Sequence, residues 1–161
     1  MSFSILPILV FLMSFEIGPA MGAFVPVQDE GDPWKTSFLF GVKARYGLSF
    51  ADIDCELQFS ELRIDPDSSR GFEYSIVPLT LGASRSLIGL RFGAGGAVYA
   101  IEATMVIDDE FTAVWNGTYP GAYISLGKDF SLFTGTADLS AKFNIIDFDG
   151  LWIGVTSSYL F

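Results

Sequence analysis

The residues of this sequence that have the right types and spacing for chemistry are carboxylates, which stand in two groups. Asp52, Asp54 and Glu56 alternate with apolar residues, and a second group occupies positions 108–110. Carboxylates act as general acids and bases or bind divalent cations, although solvation is the simpler interpretation of the second group. The sequence contains no histidine, which excludes Ser-His-Asp and histidine–metal chemistry. Carboxylate-only catalysis stays open, and we expect a protein that is not an enzyme and has no cofactor or metal.

The composition is apolar and acidic at the same time. Half of the 161 residues are apolar, and 17% are charged, against about 25% in ordinary domains. The net charge is -10, from 19 acids and 9 bases. Because nucleic-acid binding needs clustered Lys and Arg, this balance argues against it. The single cysteine, Cys55, excludes an intrachain disulfide.

Apolar and polar residues alternate along most of the chain, which is the pattern of β-strands. In the segment 37–49, Phe38, Phe40 and Val42 share one face, whereas Lys43 and Arg45 share the other. The pattern predicts seven strands, at 37–49, 51–60, 72–83, 87–105, 121–127, 131–145 and 151–161.

The predicted connections alternate in length. Positions 47–50, 84–86 and 128–130 are short turns, whereas 63–71, 106–119 and 144–150 are longer loops. This is typical of a transmembrane up-and-down β-barrel, which has an even number of strands. An eighth strand is therefore expected at Phe15 to Pro26. We predict an all-β, antiparallel, eight-stranded transmembrane barrel over residues 15–161, with short periplasmic turns and longer extracellular loops.

The N-terminal residues 1–14 are interpreted as the remnant of a signal peptide. The apolar run from Phe3 to Phe15 is too short for a membrane-spanning helix and has the length of a signal-peptide core. It lacks the usual basic start, since the first basic residue is Lys35. A buried or disordered N-terminal tail is the alternative.

The polar rows predict a filled barrel interior. They mix Gly, Ser and Thr with a few charges, as a crowded lumen does, and the apolar rows would then face lipid. A soluble, lipocalin-like barrel would point its apolar row inward. Buried charges must be paired, and the turn at 47–50 is expected to bring Arg45 near Asp52 and Lys43 near Asp54. The predicted lumenal ion-pair network consists of Lys43, Arg45, Asp52, Asp54, Glu56, Arg91, Asp138 and Lys142.

The last strand ends on an aromatic residue. Its alternate positions are Leu151, Ile153, Val155, Tyr159 and Phe161. This row resembles the C-terminal signal of bacterial outer-membrane proteins, which the barrel-assembly machinery reads. An ordinary last strand that ends on Phe is the alternative.

Two further segments carry a resemblance to a family. Residues 76–82 read IVPLTLG and residues 93–99 read GAGGAVY. They resemble the paired central strands, IPLTLG and GAGVGYY, of the small eight-stranded bacterial outer-membrane β-barrels (OmpA/OmpX-like), and residues 16–26 resemble the first strand of that family. The resemblance implies a barrel in the outer membrane of a diderm bacterium and supplies no catalytic residues.

We therefore expect an integral outer-membrane protein with a structural or surface-interaction role and a plugged lumen. Trp115 and Tyr119, on a predicted extracellular loop, are the candidate contact residues. The expected partners are outer-membrane lipid and the barrel-assembly machinery, with no nucleic acid, and the protein is expected to be a monomer. A narrow channel or small-ligand carrier is the first alternative, and a soluble lipocalin-like binding barrel is the second.

Overall fold

Eight antiparallel strands account for nearly all of the described chain. The computed structural model describes residues 14–27, 36–67, 70–107, 110–147 and 150–161, with the side chains of 62–73 and 105–115 excepted. The predicted signal remnant therefore lies almost wholly outside the described residues. No helix in the described segments is long and apolar enough to cross a membrane. The strands are β1 (Ser14–Pro26), β2 (Ser37–Gly47), β3 (Asp52–Asp67), β4 (Arg70–Leu87), β5 (Leu90–Ile107), β6 (Glu110–Leu132), β7 (Gly135–Ile146) and β8 (Gly150–Leu160).

Each strand pairs with the next, and β8 pairs with β1 to close the barrel. The closing pairs run from Ala20 opposite Ser158 to Pro26 opposite Trp152. Backbone hydrogen bonds of 3.2 Å in both directions between Ile17 and Phe161 extend this seam. The predicted fold class, an eight-stranded up-and-down barrel, is confirmed.

The three short turns lie at one end of the barrel, which we call the turn rim. They are at 48–51, at Ile88 and Gly89, and at Phe133 and Thr134. The predicted turns at 84–86 and 128–130 were wrong, because both segments continue as paired strand. The β4–β5 turn instead uses φ values of 54° at Ile88 and 76° at Gly89, the left-handed pair of a type I′ hairpin.

At the opposite end, which we call the loop rim, strands replace two predicted loops. The predicted loop at 63–71 was wrong, since β3 reaches Asp67 and β4 begins at Arg70. The predicted loop at 106–119 was also wrong, since β6 begins at Glu110. Pairing passes from Ala103–Trp115 to Thr104–Ala113, which makes Val114 the extra residue of a β-bulge. The bulge shifts the phase of the alternation and so hid the strand.

The outward face of the barrel is apolar. Among its exposed side chains are Phe15, Met21, Phe38, Phe40, Leu57, Phe59, Leu79, Leu81, Phe92, Val98, Ile124, Leu139, Phe143 and Val155. On β5 the outward residues are apolar or glycine from Leu90 to Ala100, and Glu102 follows. At about 3.3 Å per residue and a tilt of about 40°, this segment forms a band roughly 25 Å tall.

Candidate functional site

The interior near the turn rim holds a network of charged side chains. Strand alternation turns them inward from β2, β3, β5 and β7, away from the apolar outer face. All eight residues predicted from the sequence lie in this network, namely Lys43, Arg45, Asp52, Asp54, Glu56, Arg91, Asp138 and Lys142.

Asp138 is the centre of the network. It is 1% exposed, and its two carboxylate oxygens accept hydrogen bonds of 2.9 Å from Lys43 Nζ and Arg45 Nη2. Arg45 also donates from Nε to Asp54 Oδ1 at 3.0 Å, and its Nη1 lies 3.4 Å from Asp129 Oδ2. One guanidinium therefore joins carboxylates of three strands, because its planar group presents several donors at once.

Two further cations extend the network. Arg91 forms ion pairs with Asp52 and Asp129 and donates to Ser84 Oγ at 2.9 Å. Lys142 forms an ion pair with Glu56. Its ammonium group also lies 5.2 Å from the centre of the Tyr123 ring, within the range of a cation–π contact.

The predicted partners of Arg45 and Lys43 were wrong by two residues of register. Gly47 pairs with Asp52, which places Arg45 opposite Asp54 and Lys43 opposite Glu56. A shift of two residues keeps every side chain on its face, whereas a shift of one would turn it outward. The prediction thus named inward residues but gave Lys43 the wrong partner, since its ion pair is with Asp138 across the barrel.

Sequence reasoning missed two carboxylates of the network. Glu16, in β1, lies 3.9 Å from Arg45, and Asp129 forms ion pairs with Arg45 and Arg91. Asp129 was hidden by the turn predicted at 128–130, although the inward alternation from Tyr123 would have reached it. With both included, six carboxylates face four cations among the described side chains of this network.

A second interior layer, aromatic and apolar, lies nearer the loop rim, and the sequence analysis also missed it. Phe24 stacks on Trp152 with ring centres 4.8 Å apart and on Tyr99 at 6.2 Å. The Tyr99 hydroxyl donates to Asn144 Oδ1 at 2.9 Å. The other buried members of this layer are Leu39, Tyr74, Ile76, Ala97, Ile101, Ala103, Tyr123 and Ile146.

The network of charged side chains leaves little room inside this part of the barrel. The cavity bounded by Lys43, Glu56, Arg91, Asp138 and Lys142 measures about 20 Å³, room for about one water molecule. The described residues contain no group of three or more His, Cys, Asp or Glu side chains arranged to hold a metal ion. The arrangement holds charges of opposite sign against one another around this small cavity.

The remaining predicted residues lie elsewhere on the barrel. In β8, Leu151 and Val155 are exposed on the outer face and Ile153 and Tyr159 are partly exposed there, and Phe161, directly after the strand, is also exposed.

The two predicted contact residues are not on a loop. Both belong to β6; the side chain of Trp115 lies outside the described part. Tyr119 packs against the aromatic layer. Its assignment to an exposed loop was wrong because Asn116, Gly117 and Pro120 resemble turn residues although they pair with β5.

No family model matches the sequence, and no curated protein matches it. Solved structures match across 92% of this chain and 97% of theirs. Neisserial surface protein A (NspA) is similar with a TM-score of 0.61 and 10% identity. Ail, the attachment invasion locus protein of Yersinia pestis, is similar with a TM-score of 0.62 and 14% identity. Ail in complex with the heparin analogue sucrose octasulfate gives 0.60 and 14%. The resemblance to the small outer-membrane barrels is thus confirmed at the level of the fold.

Proposed function

We propose that this chain, which has the fold of the small eight-stranded outer-membrane barrels, is an integral protein of a bacterial outer membrane. Its barrel is closed to solutes, has no catalytic role and serves as a structural or surface-interaction protein. The observation that carries the proposal is the inside-out distribution of residues. Side chains such as Phe38, Phe40 and Leu81 are exposed, whereas Lys43 and Asp138 are buried.

The outer face supports a location in lipid. Each large apolar side chain left in water would forgo about 1.5–3 kcal/mol of burial free energy, and the exposed set covers all eight strands. A band roughly 25 Å tall fits the apolar thickness that outer-membrane barrels present. A lipocalin-like barrel requires the reverse, with the apolar rows inside.

The two interior layers support a closed lumen. A solute would have to cross both the ion-pair layer, with its cavity of about 20 Å³, and the stacked rings of Phe24, Tyr99 and Trp152. Barrels of about eight strands are narrow enough for side chains to fill, whereas open aqueous channels belong to barrels of about 16 strands. The geometry therefore favours a plugged barrel over a narrow channel or carrier.

The loop rim supports a surface role. In the described part, β3 pairs with β2 only up to Phe59, and β6 pairs with β7 only from Gly121 onward. Strands β3 to β6 continue past these points and form a four-stranded sheet beyond the apolar band. Sheet edges offer backbone donors and acceptors to a partner. The names surface protein and attachment invasion locus protein, given to the similar structures, fit this role.

Biogenesis follows from the same proposal. The C-terminal row on β8, including Val155, Tyr159 and Phe161, is the segment that the barrel-assembly machinery would bind. Lipid can cover the apolar outer face of every strand, so no second copy of the chain is needed to bury it. We therefore propose that the folded protein is a monomer in outer-membrane lipid.

Fractionation and gel electrophoresis test the location. The protein should sediment with outer membranes and migrate faster in unheated than in boiled samples, since a closed barrel resists detergent until it is heated. Recovery from the soluble periplasmic fraction with no heat-dependent shift would contradict the proposal and favour the lipocalin-like alternative.

Planar-bilayer conductance tests the closed lumen. The parent protein should be silent, and Arg45→Ala and Asp52→Ala should leave it silent because the aromatic layer remains in place. Steady, ion-selective steps that change with these substitutions would contradict a plugged lumen and favour the channel.

A further inference from the structure

A shallow groove lies on the outer face of the barrel near the turn rim. It measures about 350 Å³, and its lining includes Arg85, Phe92, Ala83 and Ala94. Ala83 pairs with Ala94, while the neighbouring strands place Ile53 and Ile124 at the same level. Two small residues between two isoleucines thus open a gap in the apolar coat.

The gap continues along β5 towards the loop rim. Gly96 is the next outward residue, and a Cβ built there would meet only the Gly121 carbonyl oxygen, at 4.0 Å. The residues opposite Gly96 on the adjacent strands are exposed Leu81 of β4 and Ala122 of β6. Neighbouring strands lie about 4.8 Å apart. The outward row of β5 that contains Ala94 and Gly96 is therefore about as wide as one hydrocarbon chain.

The end of the groove nearest the turn rim differs from most of the outer face in carrying a positive charge. The chain has nine basic residues, and four of them belong to the interior network. Among the described side chains, Arg85 and Lys128 are the exposed cations of the outer face, both near the turn rim, whereas the outward carboxylates Glu61 and Glu102 lie towards the loop rim.

Arg85 alone of these two cations lines the groove, and it pairs directly across the hairpin with Phe92. A larger outward groove, of about 380 Å³ and lined by Met21, Phe38 and Val155, has no cation in its lining. A guanidinium binds phosphate oxygens through two parallel hydrogen bonds. One cation at the end of one apolar track matches the shape and charge of a phospholipid, which carries a phosphate group at the end of its acyl chains.

We infer that this groove is a binding site for one anionic phospholipid of the membrane leaflet at the turn rim. The headgroup phosphate accepts hydrogen bonds from Arg85, and one acyl chain lies along Ala83, Ala94 and Gly96. The inference rests on the proposed membrane location, since the site exists only where the outer face meets lipid.

Native mass spectrometry of the protein released from mixed phosphatidylglycerol and phosphatidylcholine nanodiscs tests the site. The parent should retain one phosphatidylglycerol. Arg85→Gln should lower that retention about tenfold, because a charge-assisted hydrogen bond is lost. Lys128→Gln is the matched control: it removes the same charge at the same rim outside the groove and should stay within about twofold of the parent.

Gly96→Leu tests the acyl-chain track. Its side chain would fill the track from a position with free space, so it should reduce retention of phosphatidylglycerol although Arg85 is unchanged. Equal losses in Arg85→Gln and Lys128→Gln would overturn the inference in favour of diffuse attraction. Full retention in Gly96→Leu would overturn the proposed acyl track.

Membrane insertion is measured separately, by the heat-dependent gel shift of each variant. An inserted parent that retains no phosphatidylglycerol would refute the lipid site and leave the proposed function standing. A parent that fails to insert would refute the proposed function itself.

Discussion

Removal of the Asp138 carboxylate should destabilise the barrel more than any loss of charge on its outer face. Asp138 is 1% exposed and accepts hydrogen bonds of 2.9 Å from both Lys43 and Arg45. Arg45 keeps Asp54 as a partner in its absence. Lys43, 5% exposed, loses the carboxylate with which it forms its ion pair.

The expected cost follows from that buried ammonium group. Breaking a buried ion pair from one side costs about 3–5 kcal/mol, because the remaining charge stays out of water. We expect Asp138→Ala to lower the free energy of unfolding by about that amount, a large share of the roughly 5–15 kcal/mol of a folded domain. The double variant Lys43→Met with Asp138→Ala should lose less than the single variants Lys43→Met and Asp138→Ala together, with a coupling of about 1–3 kcal/mol.

Urea titration in phospholipid vesicles, read by the heat-dependent gel shift, measures these free energies. Glu102→Gln is the control, because this carboxylate is exposed on the outer face and its loss should change stability by no more than about 0.5 kcal/mol. The reasoning is refuted if Asp138→Ala falls within about 1 kcal/mol of the parent, or if the double variant is additive.

Three further substitutions test the turn, the barrel seam and the C-terminus. Ile88→Asn should raise the free energy of unfolding by about 1 kcal/mol in the same titration, because Ile88 has a φ of 54° that asparagine tolerates better; a loss of stability would contradict this. Gly18→Ala should cost more than about 2 kcal/mol, since the new Cβ would overlap the backbone of β8, whereas Gly96→Ala meets free space and should stay within about 0.5 kcal/mol; equal effects would contradict the seam geometry. Phe161→Ala should lower the amount of folded protein in outer membranes, measured by immunoblot of unheated samples, while Phe133→Ala, which removes an exposed turn aromatic, should not; equal yields would contradict a C-terminal assembly signal.

The faces of the strands were predictable from the sequence because alternation does not depend on exact register. Lys43 and Arg45 differ by two positions, as do Asp52, Asp54 and Glu56, so each set stays on one face even when the turn is misplaced. The sorting of these charges to one face of each strand followed from that period, whereas the barrel was inferred from the alternating connection lengths and the inward direction from the small residues that share the polar rows.

The pairing inside the barrel was not predictable, because it depends on closure. Lys43 and Asp138 belong to β2 and β7 and are 95 positions apart, and they meet because β1 and β8 join the sheet into a ring. No local pattern encodes which lysine reaches which carboxylate across a lumen.

The positions of the turns and the existence of the aromatic layer were not predicted from the sequence, for local reasons. Ile88 is an unusual residue for a left-handed conformation, so the apolar pair Leu87 and Ile88 resembled strand and the preceding serines resembled a turn. Phe24 and Trp152 stand on rows that hold mostly small or polar residues, and only the structure brings their rings together.

The most direct test of an inside-out barrel in lipid uses its single cysteine. Cys55 lies on the outer face of β3 between exposed Ile53 and Leu57. A bimane fluorophore on Cys55, in vesicles, should be quenched by brominated phospholipid and protected from aqueous iodide. The control is Asn116→Cys in a Cys55→Ser background, outward and opposite Glu102 beyond the band, where iodide should quench. Quenching by iodide at position 55 as strong as at position 116 would contradict the account.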